Sequence, residues 1–237
     1  LRLETVMRGA AFDRGHWIDW QKALDRPVLV EPVQRPAPRP PVAARPRRLS
    51  VTQIETWMRD PYAIYARHIL RLRPLDPLDQ EPGAAERGTL IHEALEKFLK
   101  VHPRTLGASA YDELIAIGRE IFGRIGDLRP GVWAFWWPRF QRAARWFIEH
   151  EAARRPGLAE CLAEVKGRTT IDAPFGPFEL TAKADRIDRW QSGGLTIIDY
   201  KTGQPPTLPT VKLGFASQLP LEAAIAAAGG FAGVHAA

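Results

Sequence analysis

The chain has 237 residues, 45% of them hydrophobic and 25% charged, an ordinary balance for a soluble globular protein long enough to bury a substantial core. Its 33 Lys and Arg against 27 Asp and Glu give a net charge of +6, which suits a polyanionic partner and fits an arginine-rich solvated surface equally well. The single cysteine, Cys161, excludes an intrachain disulfide, a cysteine-ligated zinc finger and a cysteine-held iron–sulfur cluster.

In chain order, residues 1–25 read as the end of an upstream region. Short helices are expected there, with Trp17, Ile18 and Trp20 as apolar anchors. Residues 26–48 then hold seven prolines, six arginines and one acid, Glu31. Proline fixes φ and removes a backbone donor, so this stretch reads as an extended linker, with a basic strap on nucleic acid as the alternative.

The globular domain is expected over residues 49–237. Ser50 or Thr52 caps a first helix carrying Ile54, Trp57 and Met58, and Pro61 restarts the chain into a second helical run through Ile69. Residues 74–83 read as a loop. The segment Ala84 to Val101 is a strong helix, with Leu90, Ile91, Ala94, Leu95, Phe98 and Leu99 on one apolar stripe. Another helix is expected over residues 110–125, and a further one opened by Pro138 and running to about Arg155. The aromatic run Trp133, Phe135, Trp136, Trp137 reads as a buried helix–helix contact, with base stacking as the alternative.

After Gly157 the period shifts toward strands at Leu162–Thr170, Phe178–Trp190 and Leu195–Tyr200. A helix over Gln218–Ala228 and a last strand at Phe231–Val234 complete an α+β domain with a mixed sheet. There is no signal peptide and no apolar run of about 18 residues, so no membrane partner is expected and a reducing cytoplasm is the expected location. The chain starts at Leu1 and stops soon after Val234, which reads as a piece of something longer, truncated at the C-terminal end.

The chemistry concentrates at Asp199-Tyr200-Lys201. Asp199 and Lys201 stand two apart at a strand end, so they share a face at the rim of the sheet. The preceding strand carries Asp185-Arg186-Ile187-Asp188. Asp185 comes opposite Asp199 if the intervening loop is Gln191-Ser192-Gly193, with glycine at the positive-φ position; a two-residue loop would put the two acids on different faces. Two carboxylates beside a lysine form an oxygen-rich pocket suited to Mg²⁺ or Mn²⁺. His92 should face the domain interior from its helix, with Glu96 one turn on, and adds an imidazole to the set.

The order Gly88-x3-His92, Asp185-Arg186-Ile187-Asp188, Asp199-Tyr200-Lys201-Thr202-Gly203 and Gln218 resembles the RecB-type branch of the PD-(D/E)xK nuclease superfamily. Within it the chain is most similar to the C-terminal nuclease domains of the AddB family, over about residues 48–235. The resemblance implies a restriction-endonuclease-like core with an N-terminal helical lobe, acting as a metal-dependent exodeoxyribonuclease in double-strand break repair and recombination. It implies DNA and an AddA-type helicase–nuclease subunit as partners. It implies that His92, Asp185 and Asp199 bind metal with the Tyr200 carbonyl, that Lys201 activates water and stabilises charge with Asp185 and Asp199, and that Gln218 and Arg186 serve the substrate. Many AddB proteins carry an iron–sulfur cluster, whose first cysteine precedes a Pro-Tyr pair. Asp60 stands there before Pro61-Tyr62, so no cluster is expected. Glu222, four residues beyond Gln218, stands where the family often has tyrosine. The competing reading is an inactive nuclease-like DNA-binding or scaffolding module; another phosphate-processing hydrolase lacks support, for want of a Gly-rich phosphate loop or an HExxH helix.

Overall fold

The computed structural model describes residues 14–25, 32–75, 82–126 and 129–234. They fall into two compact units, one ending at Arg39 and one beginning at Pro40. Among the described residues of the first unit, α1 (Arg14–Asp25) is the regular element. Its Trp17, Ile18 and Trp20 are all more than half or about half exposed, so they do not anchor a core; the two tryptophans pack edge-to-face on one another instead. Residues 1–13 and 26–31 of the expected upstream region and linker lie outside the described residues, and residues 32–41 have no regular structure.

The second unit opens with one 3-10 turn at Val42–Ala44, followed by a strand. β1 (Arg48–Ser50) runs parallel to β3 (Phe178–Trp190), pairing Leu49 with Leu180. Ser50 then caps α2 (Val51–Arg59): its hydroxyl accepts from Gln53 N at 3.2 Å while the Gln53 side chain accepts from Ser50 N at 3.0 Å. Asp60 ends α2 and caps α3 (Pro61–His68), whose first position is the proline that needs no donor. Trp57 and Met58 are exposed, against expectation, because one nine-residue helix packs a single stripe inward and Val51 and Ile54 occupy it.

Three longer helices form the helical lobe: α4 (Ala84–Val101), α5 (Ala110–Gly126) and α6 (Pro130–Arg154). Their shared core includes Phe98, Leu114, Ile121, Phe122, Phe140 and Phe147. Gly118 sets the distance between α5 and α6, since a Cβ there would stand 2.0 Å from the Phe140 ring. The helix expected from Pro138 in fact begins eight residues earlier. Pro138 costs α6 one ladder hydrogen bond, and aromatic packing holds the helix through it: Trp133 stacks on Trp137 at 4.8 Å, and Trp136 and Phe140 are buried. Phe135 in the same run is 69% exposed.

β2 (Leu158–Ile171), β3 and β4 (Leu195–Ile198) form the expected antiparallel meander, with β2 longer and β4 shorter than expected. β3 is central; β2 lines one side, and β1 and β4 share the other. The register is the one that a three-residue loop demands: Ile187 pairs with Ile197 and Arg186 with Ile198, one rung short of Asp185 and Asp199. Gly193 has φ +85° and its N–H donates to the Trp190 carbonyl.

After the short α7 (Leu208–Lys212), α8 (Gln218–Ala227) covers the face of the sheet that carries Leu180, Ala182, Ala184 and Ile187. The last expected strand is reduced to one bridge, Gly167 to Phe231; Phe231 and Val234 serve the core as plugs beside Ile225. The result is the expected α+β architecture, a mixed sheet between two cores.

Candidate metal and phosphate site

The site forms where β2, β3, α4, α8 and the segment after β4 meet. A sheet normally alternates its faces strictly. Here Leu162 and Val165 of β2 both enter the α8-side core, as do Ala184 and Ile187 of β3, although each pair is three residues apart. Both strands break alternation at one level, between the rungs Ala163–Arg186 and Val165–Ala184. Glu164 causes the break on β2, with φ +56°, a left-handed value uncommon for a residue with a Cβ.

The displaced pair, Glu164 and Asp185, meets His92 from α4. One ligand atom from each lies within 4.8 Å of the others, a set that could hold a metal ion. His92 Nδ1 is 3.5 Å from Asp185 Oδ2. The hydrogen bond to Asp185 and, more weakly, one to the Tyr200 backbone hold the His92 pKa above its ordinary value, outweighing burial. Burial by itself would raise the pKa of Asp185, but His92 and the Tyr200 N–H, which donates to Oδ2 at 2.9 Å, bring it below the ordinary range. Asp185 is thereby kept ionised. Two carboxylates and an imidazole fit a hard divalent cation, and the Tyr200 carbonyl sits against the same ring.

Glu164 was not among the residues expected from sequence, because a single glutamate in a long strand carries no local signal. Glu96, which did carry one, pairs with Lys100 at 2.6 Å. Glu164 also forms an ion pair with Lys183.

Asp199 and Lys201 lie just beyond the end of β4, and they still converge as expected. Lys201 Nζ is 2.7 Å from Asp199 Oδ2 and remains 40% exposed at its side chain, free to meet a ligand. Gln218, the first residue of α8, completes the group: its Nε2 donates to Asp199 Oδ1 at 2.9 Å and its Oε1 accepts from Lys201 at 3.2 Å. Gln218 also donates to Glu222, one turn along α8, at 3.2 Å.

Arg186 corrects an expectation. It is fully buried, so it cannot contact a substrate. Its Nε and Nη2 bind both oxygens of Asp188, and its Nη1 donates to Glu151 at 2.5 Å and to the Tyr200 hydroxyl at 3.2 Å. Arg154 closes the network on Asp188 at 2.8 Å. A buried cation needs such partners, and these tie α6 to β3 behind the site. Burial pushes the Tyr200 phenol up to about 12, so it stays a neutral donor and acceptor in that network.

Compared with known families, residues 48–237 match the PD-(D/E)XK nuclease superfamily. The chain is 34% identical over 194 residues to an uncharacterized protein of Rickettsia felis and 33% identical over 192 residues to one of Rickettsia conorii, covering 78% of this chain in each case. It spans 22% and 23% of those proteins' lengths. It is also 28% identical over 180 residues, 65% of the chain, to one of the subunits of the ATP-dependent helicase/deoxyribonuclease of Enterococcus faecalis, covering 15% of that protein. The match over four-fifths of the chain, on the α+β scaffold and acidic site described above, places this protein in the PD-(D/E)XK nuclease superfamily.

Proposed function

We propose that this chain is a Mg²⁺- or Mn²⁺-dependent deoxyribonuclease domain that hydrolyses phosphodiester bonds, the nuclease part of an AddAB-type helicase–nuclease working in double-strand break repair and recombination. The observation that carries the reading is the meeting of His92, Glu164 and Asp185 beside an exposed Lys201. The name of the Enterococcus faecalis relative supports DNA as substrate and a helicase complex as the setting, with an AddA-type protein as partner. No described helix is long and apolar enough to cross a membrane, and the proposed location is the cytoplasm.

A divalent ion at such a site supplies Lewis acidity to a phosphoryl oxygen and acidifies water. His92, Asp185 and Glu164 are the residues that would hold it, with Asp199 and the Tyr200 carbonyl at its margin. Lys201 places an ammonium where the transition state gains negative charge. Asp199 and Gln218 fix that ammonium from one side and leave the other open to a phosphate. Backbone phosphates meet an Arg- and Lys-rich protein with little sequence preference.

The test is cleavage of end-labelled linear DNA with Mg²⁺ or Mn²⁺, by this chain and by Lys201→Ala. Loss of cleavage with DNA binding retained is the expected outcome. Equal cutting by both proteins would sink the mechanism.

A further inference from the structure

We propose that Glu222 is a positioning residue, whose buried carboxyl group holds the Gln218 amide in the one orientation that grips Asp199 and Lys201 together. For its effect on catalysis this rests on the nuclease reading above; its geometry does not.

The three neighbours of the Gln218 amide have fixed demands. Lys201 can only donate, and an ionised Asp199 can only accept. The amide oxygen must therefore face Lys201 and one N–H must face Asp199, as observed. The second N–H goes to Glu222 Oε1. Gln218 and Glu222 stand one turn apart on the same face of α8, the spacing at which helical side chains meet. With one N–H on the Asp199 carboxylate, the other on a Glu222 carboxyl oxygen and the amide oxygen on an ammonium, a flipped amide would face like partners at both Asp199 and Lys201 and give up its bond to Glu222 Oε1. Glu222 supplies the third constraint and holds the side chain from the helix side.

The cost of placing an acid there shows that packing does not require it. Glu222 is fully buried, on the face of α8 that packs against the sheet beside Ile225 and Leu221. Its Oε2 finds no hydrogen-bond partner among the described residues. An unpaired buried oxygen is destabilising, and an aliphatic side chain would fill the space without that cost. Among the described residues, the hydrogen bond that Glu222 does make is to Gln218.

The experiment compares the parent chain with Glu222→Leu, Glu222→Gln, Gln218→Ala and the Glu222→Leu/Gln218→Ala double variant, reading three quantities. Glu222→Leu should melt no lower than the parent, whereas a purely structural Glu222 would make it melt lower. The side-chain amide NMR signals of Gln218, identified by their absence in Gln218→Ala, should shift and broaden in Glu222→Leu and stay in place in Glu222→Gln. The kcat for DNA cleavage should fall about tenfold in Glu222→Leu at unchanged KM, as expected for loosening one hydrogen bond to a charged group, and the double variant should match Gln218→Ala. An early melt, unchanged amide signals, or effects of the two substitutions that add would each overturn the proposal. A parent chain that cuts no DNA would overturn the nuclease reading alone, because the melting and amide measurements still decide the role of Glu222.

Discussion

Glu164 and Asp185 sit at the one level of the β2–β3 ladder where both strands lose their alternation, and this sends both carboxylates toward His92. A left-handed backbone at a residue with a Cβ costs about 1–2 kcal/mol; of the two described non-glycine residues that adopt it, Arg71 and Glu164, the second lies in the candidate metal-binding set.

Glu164→Gly should separate the two sides of that arrangement. Glycine relieves the positive φ and removes the carboxylate, so the melting temperature should stay within a few degrees of the parent. Mn²⁺ affinity by isothermal titration should fall at least about tenfold. Unchanged affinity would remove Glu164 from the metal set.

Arg186→Met should act on stability and leave DNA contacts alone. It takes from the buried Glu151 and Asp188 the cation they share and leaves each with a single arginine, Arg155 and Arg154, at a cost of about 3 kcal/mol in urea unfolding. Below its melting temperature, the salt dependence of DNA binding should keep the parental slope, because Arg186 releases no counterion from DNA. A slope lower by about one would mean that Arg186 reaches a phosphate.

Glu222 gives folding a pH dependence. Burial raises its pKa from 4.5 to about 7; the charges of Asp199 and Asp185 add to the rise, and Gln218 and Lys201 oppose it. The folded protein therefore keeps a proton that the unfolded chain has released, and the associated stability is complete below about pH 4.5 and lost as the pH rises through about 7. The difference in unfolding free energy between Glu222→Leu and the parent should grow, in favour of the variant, by on the order of 2–3 kcal/mol from pH 4.5 to pH 8. Urea titrations at both pH values measure it, and a constant difference would contradict the raised pKa.

Gly118→Ala should destabilise the helical lobe by about 1–3 kcal/mol despite the better helix propensity of alanine, because the added methyl meets the buried Phe140 ring. Adding Phe140→Leu should recover part of the loss. Simple additivity of the two substitutions in thermal melts would show that the contact is not what limits the packing.

Much of this protein is legible from local pattern. The bounds of Ala84–Val101 and Phe178–Trp190 follow from periodicity and flanking turn residues, and the β3–β4 register follows from a loop whose glycine can take positive φ. That register carries Asp185 to Asp199 and Lys201, so the heart of the site is written within one hairpin. The remaining features depend on partners distant in sequence. Pro138 stays helical because aromatic rings pack around it, and Arg186 is buried because Glu151 arrives from α6. Glu164 reaches His92 because two strands yield together, and Glu222 is sealed in when α8 docks on the sheet. Turn chemistry and periodicity act over a few residues and can be read along the chain, whereas burial and charge pairing depend on which surfaces close over a residue, and only the tertiary structure decides that.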